Sequence, residues 1–218
     1  MRRTHHALGE GAGQGRGQTV FLLSPAHCGG KRAGVLLNQH AAFPLALLLR
    51  ESGAAIGEVF SFLSGLYFRG KLSYGRAFAR VTAAPHGVLV ITPGRGLLPP
   101  DAIVTLADLR EIAEVGVTPA EPRFCDPLER DSAALASVLS GSDSVILLGS
   151  IATGKYVDII ESHLDGRLRF PADFVGRGDM SRGGLMLRCV LQRRELAYVP
   201  VAGATRRGKR PPRLDPLR

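Results

Sequence analysis

Apolar residues in this chain fall into short runs separated by longer stretches with helical spacing. Thr19 to Ser24 (TVFLLS) is one run, closed by Pro25; Gly87 to Thr92 (GVLVIT) and Ser144 to Leu148 (SVILL) are two more. Apolar runs of this length, flanked by turn residues, predict buried strands. Leu168 to Phe170 predicts a short fourth strand. Between the runs, apolar residues recur every three or four positions. Val35 to Arg50 predicts a helix with a break or kink at Pro44, because proline lacks the amide hydrogen that a helix interior needs. Ile56 to Arg80 predicts two helices joined by a glycine-containing hairpin at SGLYFRGK. Leu106 to Glu114, Glu129 to Leu139, Tyr156 to Leu164 and Asp179 to Leu196 predict further helices. Val117 to Pro127 holds three prolines and reads as a connection.

Strands alternating with helices predict an α/β single domain, with a mainly parallel central sheet flanked by helices and a helical hairpin element. The domain spans residues 19–203. Residues 1–18 are rich in Gly, Gln and Arg, offer little to bury and are expected to be disordered. Residues 204–218 form a basic C-terminal tail, with six cations against the single acid Asp215.

Composition adds a partner class. The chain has 218 residues, 45% of them hydrophobic, enough for one core. Lys and Arg number 28 against 19 acidic residues, for a net charge of +9. That excess favours a polyanion, nucleic acid first and an anionic membrane surface second. Coding bias toward Arg also raises such a count, but here the placement of the cations argues for a site. Cys28, Cys125 and Cys189 are odd in number and far apart, with no Cys-x-x-Cys pair, so neither a zinc ribbon nor a disulfide framework is supported. No apolar stretch reaches the roughly 20 residues needed to cross a bilayer, and the basic start lacks the apolar run of a signal peptide. The expected setting is cytoplasmic and reducing, with no membrane partner, metal or cofactor.

In a parallel sheet, the loops after the strands share one rim, where ligands bind. Those loops are SPAHCGGKR, TPGRGLLPPD, GSIATGK and PADFVGRGDMSRGG, and they hold most of the Gly-plus-basic character of the core. The stretch from Phe170 to Leu191 is the most concentrated, with Arg177, Asp179, Ser181 and Arg182 among four glycines. Glycine-rich turns and helix N-termini present amide hydrogens to anions. Gly149 to Lys155 matches phosphate-loop spacing, but Tyr156 stands where Ser or Thr would hold magnesium. An anion-binding turn without metal therefore ranks above a nucleotide triphosphatase. The candidate nucleic-acid or phosphate contacts are Ser24, Lys31, Arg32, Arg69, Lys71, Arg95, Ser150, Lys155, Tyr156, Arg177, Ser181 and Arg182. Ser24 with His27 invites a nucleophile reading, but no acidic partner is assignable and a turn-closing role ranks ahead of it. Asp101 and Asp179 are the candidate general bases, each with helix or turn capping as the competing role. Among the aromatics, Phe68 reads as core and Tyr67 is open between core and base stacking.

Several of these segments occur together in one family. LLSPA (22–26), LYFRGKL (66–72), GLLPPD (96–101), the turn before Lys155 and Tyr156, and RGDMSRGGLML (177–187) resemble, in order and spacing, the YaaA-type proteins of bacterial peroxide-stress resistance. The chain departs from the family at His27, Arg95 and Lys155, and across Asp179 to Gly184. The resemblance implies a compact α/β domain with a helical hairpin, DNA binding, and a role in protecting DNA under oxidative stress. It carries no settled catalytic activity. The expected function is nucleic-acid binding, DNA before RNA, in a basic cleft at the strand ends. The alternatives are a hydrolase acting on a nucleotide or on a base in DNA, through Asp101 or Asp179 with Arg177 or Arg182, and a small-ligand phosphate-binding enzyme.

Overall fold

In the computed structural model, which describes residues 17–212 and 214, the three long apolar runs lie side by side at the centre of a sheet. They are β1 (Thr19–Leu23), β3 (Val88–Thr92) and β6 (Ser144–Leu148). β1 pairs with both neighbours in parallel, Leu22 opposite Leu89 on one side and Leu147 on the other. Every residue of β1 and β3 is buried, as expected of parallel strands covered on both faces. β7 (Leu168–Pro171) adds a fourth parallel strand beside β6.

The sheet is mixed at its edges. β4 (Gly96–Leu98) and β8 (Tyr198–Pro200) pair antiparallel with β3 and β7, giving the order β4-β3-β1-β6-β7-β8. A separate two-stranded ribbon joins β2 (Ala54–Ala55) to β5 (Ile103–Val104). The chain moves outward from β1 to β3 and then returns to the other side of β1 with β6. The β1/β6 boundary is therefore the switch point, where the loops diverge and open a crevice.

The helices are α1 (Lys31–Leu37), α2 (Pro44–Glu51), α3 (Ile56–Ser64), α4 (Leu66–Phe78), α5 (Leu106–Glu114), α6 (Pro122–Ser137), α7 (Val157–Leu164) and α8 (Asp179–Leu191). Pro44 starts α2 instead of kinking one long helix, since its missing amide hydrogen costs nothing in a first turn. Gly65, at φ 60°, makes the sharp corner between α3 and α4. α4 and α8 pack with their backbones touching: a Cβ built on Gly70 would stand 2.7 Å from the Gly183 carbonyl oxygen. Against the expectation of a connection to Pro127, α6 already begins at Pro122, where proline is tolerated and the Glu121 side chain accepts from the Arg123 amide. α8 stops at Leu191, short of the expected Leu196, as Arg193 turns to φ 50°.

The expected disordered segment is also too long by at least one residue. Gln18 is buried, its amide donating to Asp143 at 2.8 Å and its side-chain nitrogen to the same carboxylate at 2.8 Å. Residues 1–16 lie outside the described part of the chain. Among the described residues, no helix is long and apolar enough to cross a membrane.

Candidate functional site: a cleft at the strand ends

A cleft of about 360 Å³ opens at the switch point. The β1 loop lines it with Ser24, Pro25, Ala26 and His27, and the β6 loop with Ser150, Thr153, Lys155 and Tyr156. Tyr67 of α4 and Asp179 of α8 close one side.

Ser24 is the first residue beyond β1. Its amide donates to the Leu148 carbonyl at 3.2 Å, so the sheet register fixes its backbone. Beneath it lies Lys71 of α4, only 1% exposed. The Lys71 Nζ donates to the Ser24 carbonyl at 2.6 Å and to the Ser24 Oγ at 3.0 Å. The rings of Tyr67 and Phe68 lie 4.5 and 4.7 Å from the Nζ. Among the described residues no carboxylate forms an ion pair with Lys71. Burial therefore lowers its pKa to about 7, with Asp179 opposing the drop and Arg182 adding to it. A neutral amine at this place offers its lone pair to the Ser24 hydroxyl and can take its proton.

Two tyrosines complete the floor. The Tyr156 hydroxyl donates to the Ser150 carbonyl at 3.1 Å. Gly149 leaves room for this hydroxyl and for Ser24: a Cβ there would stand 2.8 Å from the Ser24 Cβ and 3.0 Å from the Tyr156 hydroxyl. The Tyr67 hydroxyl is buried and, among the described residues, has no hydrogen-bond partner. Burial raises the pKa of both phenols, which stay protonated as donors.

The structure redistributes the expected contacts. Ser24, Lys71, Ser150, Lys155, Tyr156 and Asp179 converge on or beneath the cleft. Lys71, however, is 1% exposed beneath Ser24 and does not line the cleft, so it is not placed as a phosphate contact. Arg182 is committed to the Phe174 carbonyl, at 3.2 and 3.1 Å from two of its nitrogens, and lies 3.6 Å from Asp179. Arg177 donates to the Asp173 carbonyl, the Ser181 hydroxyl and the Pro212 carbonyl, so both it and Ser181 brace the loop and the tail. Lys31 and Arg32 are exposed at the start of α1, where Arg32 donates to the Phe62 carbonyl. Arg69 is exposed on α4 and does not line the cleft.

Arg95 and Asp101 lie away from the site. Arg95 is at the rim but pairs with Asp108 and, at 2.7 Å, with Glu111. Asp101 is exposed beyond β4, which runs back antiparallel from the rim, so it sits toward the opposite end of the sheet. Gly94 and Gly96, at φ 76° and 72°, make that reversal. At the phosphate-like turn before Tyr156, the Asp158 carboxylate lies against Gly154.

The pairing of Lys71 with Ser24 was not foreseen from the sequence. The spacing of Tyr67, Lys71 and Tyr74 on one stripe of α4 carries the signal, since it places Lys71 on the buried face. Cys28 is a core thiol, with burial raising its pKa to about 11. Among the described residues, no group of three or more His, Cys, Asp or Glu is placed to hold a metal.

No protein-family model, curated protein or solved structure matches this chain. The likeness to YaaA-type proteins therefore rests on the short motifs alone.

Proposed function

We propose that the protein binds nucleic acid, DNA ahead of RNA, along the rim beside the cleft. The observation that carries this reading is the course of the C-terminal tail. It does not hang free over residues 204–212. The Lys209 carbonyl lies against Gly176, the Pro212 carbonyl accepts from Arg177, and Arg206 reaches Asp158 at 3.6 Å. These contacts lay the tail across the start of α7 and the loop before α8, both at the strand-end rim. Arg206, Arg207, Lys209 and Arg210 are all exposed there, next to Arg177. Cations held along a strip match a phosphate backbone at a lower ordering cost than a loose arm. The cleft itself is mixed in charge, so the polyanion is assigned to the strip. A role in protecting DNA under stress rests on the family resemblance.

The test is binding of labelled duplex at several salt concentrations. If four cations contact phosphates, affinity falls about a hundredfold between 50 and 200 mM salt. Changing Arg206, Arg207, Lys209 and Arg210 together to Gln should remove most of that salt dependence and leave the fold intact. A native chain that does not bind duplex or single strands at low salt, or a salt slope unchanged by the four substitutions, refutes the reading.

A further inference from the structure

The Ser24 and Lys71 pair has no part in nucleic-acid binding, and its construction is unusual for a structural contact. A lysine fully inside an apolar layer is disfavoured, and a methionine of similar length would fill the same space. Here the amine is brought to a hydroxyl that faces a cleft. The backbone bond from Ser24 to Leu148 fixes that residue, and Gly149 leaves room beside its side chain. Tyr67, 6% exposed, lines the same cleft, and its buried hydroxyl has no hydrogen-bond partner among the described residues. An unpartnered donor in the same cleft as a hydroxyl bonded to an amine is a resource for an oxygen with developing negative charge.

We propose that Ser24 is a nucleophile with Lys71 as its general base, and that the cleft hydrolyses a small, uncharged carboxylic ester. The charged groups lining the cleft favour an uncharged substrate, because Lys155 and Asp179 offset each other and a phosphate would face the Asp179 carboxylate. Neutral Lys71 takes the hydroxyl proton as the Ser24 Oγ bonds to the ester carbonyl carbon. The Tyr67 hydroxyl donates to the resulting oxyanion. The carbon–oxygen bond to the alcohol then breaks, and the Lys71 ammonium returns its proton to the leaving oxygen. Water attacks the acyl-Ser24 ester, Lys71 accepts the water proton and passes it to the Ser24 oxygen, and the carboxylic acid leaves. The sum is ester plus water giving acid plus alcohol, with no other reactant.

Protonation of Lys71 switches the pair off. The groups facing its amine are the Ser24 hydroxyl from the β1 loop, Tyr67 from its own helix, and Asp179 and Arg182 from α8, whose charges act on it in opposite directions. Reactivity should therefore fall as pH drops through about 7.

The experiment uses the full chain, a fluorophosphonate probe that labels activated serines, and p-nitrophenyl acetate. Peptide mass spectrometry should place the label on Ser24, with labelling and hydrolysis both rising from pH 6 to pH 8.5. Ser24→Ala should abolish both, Lys71→Met should lower both by about a hundredfold or more, and Tyr67→Phe should slow hydrolysis without moving the pH midpoint. Should Lys71→Met fail to fold, the pH profile of the native chain still decides. Ser24 unlabelled at pH 8.5 in folded protein, a flat profile across pH 6 to 8.5, or equal labelling of a folded Lys71→Met variant overturns the proposal. Loss of DNA binding by the tail substitutions would leave labelling unchanged, so the two readings fail separately.

Discussion

Replacing Lys71 with Met tests the buried amine through stability alone. In the native protein its pKa is about 7. In the unfolded chain a lysine titrates near 10.4. Between those values the unfolded chain binds a proton that the native chain lacks, so native stability rises with pH, by up to about 1.4 kcal/mol per pH unit. Below pH 7 both states are protonated, and the native protein bears the full cost of a buried ammonium. Methionine has no proton to exchange. The stability of the native chain minus that of Lys71→Met should therefore increase by about 2 kcal/mol from pH 7 to pH 9. Losing the two hydrogen bonds to Ser24 adds an offset that depends far less on pH. The assay is urea unfolding of both proteins at pH 6, 7, 8 and 9, followed by far-ultraviolet circular dichroism. The pH at which the difference starts to climb reads the native pKa. A difference that stays constant or declines over this range would show that Lys71 keeps its charge in the fold, and would remove the physical basis for a base at this position.

Two further substitutions probe the frame that holds the site. Gly70→Ala drives a methyl group to 2.7 Å from the Gly183 carbonyl, backbone against backbone, and should cost about 1 to 3 kcal/mol, read as a lower urea midpoint. Asp143 accepts from the Gln18 and Ser140 amides at 2.8 and 2.7 Å. Burial works to raise its pKa, but these bonds to the charged form outweigh that and the net shift is downward. Its contribution is thus present above about pH 4 and lost as pH falls below that. Asp143→Ala should destabilise by about 1 to 3 kcal/mol at pH 7, with a smaller difference at pH 3.

How much of this was legible along the chain depended on the range of the interactions involved. The buried strands β1, β3 and β6 could be read from composition, because a strand covered on both faces is apolar along its length, with polar residues only at its ends. The break between α3 and α4 could be read, but the hairpin expected over SGLYFRGK shrinks to a corner at Gly65, with Leu66 to Lys71 already helical; α5 was placed residue for residue. The edge strands β4 and β8 could not be read, since three-residue strands have no period of their own and exist only because a neighbour offers open hydrogen-bonding groups. Asp101 was misplaced for the same reason: it was counted with the rim loops, but pairing of β4 with β3 carries it back toward the far end of the sheet.

The site divides along the same line. The sequence by itself determined that glycine-rich, basic loops follow the parallel strands, and hence that Ser24, Ser150, Lys155 and Tyr156 belong to one rim. It determined the excess of cations in the tail, but not that those cations lie pinned beside Arg177. Only the tertiary structure decided which polar side chains are spent. Arg182, Arg177 and Arg95 are committed to carbonyls or carboxylates, whereas the Tyr67 hydroxyl has no partner among the described residues. Only the tertiary structure brought Lys71 beneath Ser24, 47 residues away. The reason is physical. Burial and charge pairing depend on what several distant segments place around one atom, and no local pattern carries that sum.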